Sequence, residues 1–312
     1  MDISAAVRQL KQQFPERDVI VISRGIERDL HTDLSRELER SQRFDQCIVF
    51  LTTFGGDPDA GYRIARCLRH YYKHVRLVIP SFCKSAGTLI TICADEIVIG
   101  DRGELGPLDV QVMKSSELME RSSGLDIIQA LQATLDHAQQ AFKQSLMDVR
   151  NGGRLSTKLA GEFAAKIAVG VAAPLYAQID PNRLGEMQRA MRIAHEYGQR
   201  LDKYTRNLKP GALDRLVAEY PSHSFVIDRK EATELFLRVH HPTAAENDFC
   251  RTIWQSIETQ SGTGPVLING DLPPEGAHDG NEAESSAQQS GQASADAKGT
   301  VHPSEEADGA SR

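Results

Sequence analysis

What most constrains the fold of this chain is a repeated switch between two hydrophobic periods. Val19-Ile-Val-Ile-Ser23 is an uninterrupted β-branched run, the pattern of a strand covered on both faces. Arg28 to Arg43 then carries Leu30, Leu34 and Leu38 at helical spacing between charged residues. The switch recurs down the chain. Cys47 to Thr53 reads as a second buried strand, and Ala60 to Tyr72 as a helix with Ile64, Cys67, Leu68 and Tyr71 on one face. Val75 to Ile79 reads as a third strand, Ala86 to Ala94 as a short apolar helix and Glu96 to Gly100 as a fourth strand. Strands separated by helical crossovers imply an α/β fold, a parallel sheet with flanking helices. In such sheets ligands bind beyond the carboxyl ends of the strands.

Two turns fall at that edge, Phe54-Gly-Gly-Asp-Pro58 and Ser81-Phe-Cys-Lys-Ser-Ala-Gly87. A serine is a weak nucleophile unless a base takes its proton, and its attack on a carbonyl needs donors aimed at the developing oxyanion. Ser85 opens a short helix, where the amides of Ala86 and Gly87 lack intrahelical partners. Gly55 and Gly56 lack side chains that would block the approach of another backbone N–H. The same residues also have a plain structural reading: Ser85 as N-cap, Gly55-Gly56 as a tight turn, Asp57 capping the next helix. Spacing alone leaves both open. Cys83, among apolar neighbours and without a histidine nearby in sequence, reads as structural.

Gly124 to Arg206 is helical in pattern, and Pro221 to Val239 reads as a short strand, Phe225-Val-Ile227, followed by a helix. After Ser261 the chain is rich in Gly, Ser, Ala and acids and is expected to be disordered. The expected division is therefore an N-terminal helical segment at 1–18, one main domain at 19–260 and a disordered tail at 261–312.

A net charge of -7 with scattered basic residues gives no basis for a nucleic-acid surface. The five cysteines are odd in number and form no CxxC pair, which points to free thiols in a reducing, cytoplasmic setting. No uninterrupted apolar run approaches the roughly 20 residues that cross a bilayer, so no integral membrane segment is expected. Metal-site and nucleotide-binding motifs such as HExxH, a Walker loop or GxGxxG are missing, so neither metal nor cofactor is expected.

The run TTFGGDPDAGYRIARCLR, then SFCKSAGTLITICADEIVIGDRGELGPLDVQV, resembles the serine dehydrogenase proteinase family, grouped with signal peptide peptidase A and the Clp proteolytic subunit in the ClpP/crotonase fold. The resemblance continues in PLYAQIDPNRLGEMQRAMRIAHEYGQRL and YPSHSFVIDRKEATELFLRV, so it covers about Val19 to Val239. It implies Ser85 as nucleophile, Gly55 and Gly56 as the source of one oxyanion donor and the Ala86 amide as the other.

The resemblance leaves the proton acceptor to be found. Clp-type relatives place a histidine after the nucleophile helix, and here EIVIGDRGELGPLDVQV contains none. Signal-peptide-peptidase relatives use a lysine, and Lys114 lies just beyond that stretch. Lys114 is thus the expected base, able to act if burial lowers its pKa toward neutrality. Lys84, Lys143 and Lys158 stand behind it, and Lys84 and Asp109 are supporting candidates. His70, His74, His137 and His223 read as structural or surface residues.

The function implied is that of a serine endopeptidase-type hydrolase acting on a protein or peptide and assembling as a homo-oligomer. A catalytically silent scaffold of the same fold and a crotonase-like acyl-CoA enzyme are the alternatives.

Overall fold

The computed structural model describes residues 3–108, 111–113, 121–153 and 155–268, with residues 111–113 and 121–128 described in backbone alone. In chain order the elements are α1 (Ile3–Gln13), β1 (Asp18–Ser23), α2 (Arg28–Ser41), β2 (Gln46–Thr52), α3 (Pro58–Tyr71), β3 (His74–Ile79), β4 (Phe82–Cys83) and α4 (Ala86–Ile92). They continue with β5 (Glu96–Ile99), β6 (Glu104–Leu105), β7 (Gln111–Met113), β8 (Arg121–Ser123), α5 (Gly124–Gly153), α6 (Thr157–Tyr176) and α7 (Pro181–Thr205). The last are α8 (Ala212–Asp214), α9 (Arg229–Leu235), β9 (Val239–His240), α10 (Ala244–Thr252), α11 (Trp254–Ile257) and β10 (Thr263–Ile268).

The main sheet runs β10-β1-β2-β3-β5-β9. All its pairs are parallel except β10 with β1, as the repeated strand–helix pattern implied. The central strands are mostly apolar because both faces are covered, with Arg76 in β3 a buried charged exception. Ile20, Ile22, Val49, Leu51, Leu77, Ile79, Ile97 and Ile99 pack with Leu30, Leu34 and Leu38 of α2 and Ile64 and Leu68 of α3. The alternate residues, Val19, Val21, Ile48, Phe50, Val78 and Val98, pack under α1 and α10. Phe50 meets Phe249 of α10 at 4.7 Å between ring centroids. Truncating a fully buried leucine such as Leu34 in this layer would cost about 2–5 kcal/mol.

Three expectations need correction. First, the ends of the main domain lie further out than 19 and 260. Ala6, Val7 and Leu10 of α1 are buried in the same core as β1 and β2. Thr263 to Ile268 is the sixth strand of the sheet, with Val19 opposite Ile268 and Val21 opposite Val266. Gly264 and Pro265 disguised it, yet an edge strand tolerates a proline that a central strand would not.

Second, Phe225-Val-Ile227 is not a strand. It contributes one antiparallel bridge, in which the Leu105 and Ile227 amides each donate to the other's carbonyl at 2.9 and 3.0 Å. Third, α6 is long and apolar enough, by length and composition, to cross a membrane, with about a fifth of its apolar window buried. Glu162 and Lys166 interrupt the run and hid that property in the sequence. Its buried stripe is Ala160, Ala164, Ala168 and Ala172, four-residue spacing that lets it lie close to α5.

Candidate active site

β2 and β3 end at Thr52 and Ile79, and the two turns singled out above leave the sheet side by side at this carboxyl edge. Thr53 N–H donates to Phe82 O at 3.0 Å and Lys84 N–H to Thr53 O at 2.9 Å, locking the turns in register. Ile26 N–H donates to Gly55 O at 2.9 Å and Asp57 N–H to Ile26 O at 2.8 Å, which ties the glycine turn to the segment after β1.

The glycines are required by this geometry. Gly55 and Gly56 have φ of 101 and 147°, and a methyl on Gly56 would lie 2.2 Å from Ile26 O. A methyl on Gly55 would lie 2.7 Å from Ser85 Cβ, so the glycine turn runs directly against the serine. Gly87 is needed for packing, since a methyl there would meet Thr53 Cγ2 at 2.5 Å and Cys83 Sγ at 2.8 Å.

Ser85 is half-buried, with φ 51° and ψ -115°. Few non-glycine residues hold such a conformation, and it costs on the order of 1–3 kcal/mol. The N-cap reading fails on the same observation: the Ser85 hydroxyl makes no cap hydrogen bond to α4. Backbone groups and Thr88 hold the turn instead. Gly87 N–H donates to Lys84 O at 2.8 Å, and the Thr88 hydroxyl donates to Gly106 O at 2.7 Å. Among the described residues the Ser85 hydroxyl and the amides of Gly56 and Ala86 have no hydrogen-bond partner. Gly55 N–H, by contrast, is committed to Thr53 Oγ1 at 3.0 Å. Of the two glycines, Gly56 therefore offers the free donor, and Gly55 provides the close approach.

Lys84 follows a different course from its neighbour. Its Nζ lies 2.6 Å from Glu104 Oε1 and donates to Leu105 O and Phe225 O, each at 3.2 Å. Gly106 leaves room for it, since a methyl there would lie 2.6 Å from Lys84 Cδ. All three ammonium protons are thus engaged, which ties Lys84 to Glu104, Leu105 and Phe225. Lys114 and Asp109 lie outside the described residues. Lys143, Lys158 and His137 are exposed on α5 and α6, and His70 is exposed at the end of α3. His74 starts β3, at the opposite sheet edge, and pairs with Glu96 at 3.3 Å. Asp57 caps α3, accepting from Asp59 N–H at 2.9 Å.

Burial pushes the Cys83 thiol up to about 12, so it is not a thiolate nucleophile. No group of three or more His, Cys, Asp or Glu suited to hold a metal occurs among the described residues. Sequence reasoning missed Thr53, which tethers Gly55, and Gln260, whose Oε1 accepts from Phe54 N–H at 2.9 Å. Gln260 had no local signal, since it reaches the turn from 206 residues away.

A strained serine at the carboxyl edge of a parallel sheet, flanked by free amides from two turns, can offer a hydroxyl and two hydrogen-bond donors to one carbonyl group. The chain belongs to the family described as ClpP-like SDH-type serine proteinase, whose model matches residues 26–182. It is similar to two uncharacterized proteins of Methanocaldococcus jannaschii, 34% and 33% identical over 64 residues. Each of these matches covers 20% of this chain and 22% of the relative, so the chain spans about a fifth of the length of these curated relatives. Among solved structures it is similar to a membrane-bound stomatin-specific protease, at 17% identity and TM-score 0.31, covering 49% of this chain and 75% of that one. It is also similar to ClpP1 of Listeria monocytogenes, at 15% identity and TM-score 0.23, covering 52% and 92%.

Proposed function

We propose that this protein is a serine endopeptidase in which Ser85 is the nucleophile and Lys114 the general base. The observation that carries the reading is Ser85 itself, held at φ 51° with an uncommitted hydroxyl against the Gly55 backbone. A costly conformation that does no capping work is expected where it presents a reacting group. Membership in a serine proteinase family supports the same reaction class.

In the proposed reaction the Ser85 Oγ attacks the scissile carbonyl carbon while neutral Lys114 takes its proton. The carbonyl oxygen becomes an oxyanion, held by the amides of Gly56 and Ala86. Collapse expels the amine, which receives the proton from Lys114, and leaves an acyl ester on Ser85. Water then adds with Lys114 again as base, releasing the acid and restoring the hydroxyl. Asp109 sits between Glu104–Leu105 and Lys114 in sequence, suited to orient the base or the substrate.

The substrate is a protein or peptide, and the working form a homo-oligomer. In support of the latter, α6 exposes Leu159, Phe163, Ile167, Val171 and Leu175 in one four-residue row beside its buried alanines. A cytoplasmic location is proposed from the five cysteines, all free and all buried.

The test is hydrolysis of quenched-fluorescent peptides across pH 6 to 9.5 by wild type, Ser85→Ala and Lys114→Ala. The reading expects rates that rise with pH as Lys114 loses its proton and fall by several orders of magnitude in both variants. Undiminished hydrolysis by Lys114→Ala would overturn the base, and by Ser85→Ala the nucleophile.

A further inference from the structure

Phe54, the residue before Gly55, is a large apolar side chain left 60% exposed beside the candidate reacting groups. Several contacts hold it in place. Its ring stacks on Phe82 with centroids 3.9 Å apart and planes 17° from parallel. Its amide donates to Gln260 Oε1, and Gly25 makes room for that side chain, since a methyl there would lie 3.2 Å from Gln260 Nε2. The Thr53–Phe82 and Lys84–Thr53 backbone bonds fix the two aromatic residues side by side. Thr53 and Cys83, their neighbours along the chain, are fully buried, so the alternation of an extended backbone turns Phe54 outward.

Phe82 covers one face of this ring, and Phe54 as a whole stays largely exposed. Its other side is a preset apolar surface one residue from Gly55, which itself packs on Ser85. Phe54 precedes the glycine that packs on Ser85, so an extended chain lying across Ser85, rising about 3.3–3.6 Å per residue, passes Phe54 within a few residues of the scissile bond. Asp57 and Asp59, exposed just beyond the glycine turn, make the same mouth unfavourable to an acidic side chain.

We propose that Phe54, backed by Phe82, is a specificity surface that takes an apolar or aromatic side chain of the polypeptide substrate next to the scissile bond. This rests on the serine-peptidase reading. The occupant is substrate rather than a second copy because Phe54 is joined directly to the glycine turn that packs on Ser85.

Binding to Ser85→Ala protein, which cannot cut, tests the proposal apart from catalysis. The probes are blocked, fluorescently tagged alanine octapeptides carrying one Phe, one Asp or neither, read by anisotropy. The Phe peptide should bind about tenfold more tightly than the all-Ala peptide, and the Asp peptide more weakly than both. Adding Phe54→Ala should bring the Phe/Ala ratio near one, and Phe54→Tyr should restore it. A ratio unchanged by Phe54→Ala, or no peptide binding at millimolar concentration, overturns the proposal. So does Phe54→Ala lowering the oligomeric mass by light scattering while the ratio stands. Failure of wild type to react with a fluorophosphonate while the Phe preference persists would instead sink the peptidase reading and leave the apolar binding surface.

Discussion

Gly55 and Ser85 share one space: a single methyl on the glycine would lie 2.7 Å from the serine Cβ and 2.9 Å from Lys84 O. Neither backbone has freedom to retreat, because Gly55 O accepts from Ile26 and Thr53 O accepts from Lys84. The distance between the glycine turn and the serine is thus set by the absence of a side chain.

Gly55→Ala should therefore be a functional lesion out of proportion to its size. The methyl must push the two turns apart, and a displacement near 1 Å at reacting groups costs about 10²-fold. Peptidase activity is expected to fall at least that far, while far-UV circular dichroism stays that of wild type. Activity within a few-fold of wild type would show that the two turns do not cooperate.

Ser85→Gly should separate stability from function. Relief of the positive-φ strain is on the order of 1–3 kcal/mol, offset by about 0.5–1 kcal/mol for the greater freedom of glycine in the unfolded chain. Denaturant unfolding should show a gain of about 1 kcal/mol, with hydrolysis abolished. A loss of stability would mean that the Ser85 conformation is not strained.

The acid limit of stability should trace to Arg76. This buried guanidinium donates to both carboxylate oxygens of Glu246, which is fully buried, at 2.7 and 3.1 Å, and also bonds Glu96. Removing one partner of such a pair leaves a buried charge, so Glu246→Ala should destabilise by about 3–5 kcal/mol.

The His74 hydrogen bond, with Arg76 beside it, holds the Glu96 carboxyl down to about 2. Its folded pKa lies below its unfolded value near 4.3, so its contribution is present above that pH and is lost as pH falls toward 2. The difference in Tm between wild type and Glu96→Gln should accordingly shrink as pH falls from 4.5 toward 2. A difference that grows below pH 4.5 would contradict the assignment.

The central strands and the first helices were legible because each strand is buried on both faces and each helix on one, so composition and period speak together. The two turns were legible for the same reason, as breaks in that pattern at a predictable edge. What escaped was set by distant parts of the chain. Thr263 to Ile268 becomes a strand only because β1 offers an open edge, and Gln260 matters only because it meets Phe54.

The Ser85 turn likewise packs against distant residues, since a methyl on Gly87 would meet Thr53 Cγ2 and the Thr88 hydroxyl donates to Gly106 O. Lys84 is a candidate base by its place beside the serine in sequence. Glu104, Leu105 and Phe225, which engage its ammonium, are 20 to 141 residues away in sequence.

The most direct measurement is the site of reaction with a fluorophosphonate. Wild-type protein would be labelled, digested and mapped by mass spectrometry, beside Ser85→Ala. A single adduct is expected on the peptide containing Ser85, absent from the variant. An adduct elsewhere, or none on a folded protein from pH 6 to 9.5, would contradict it.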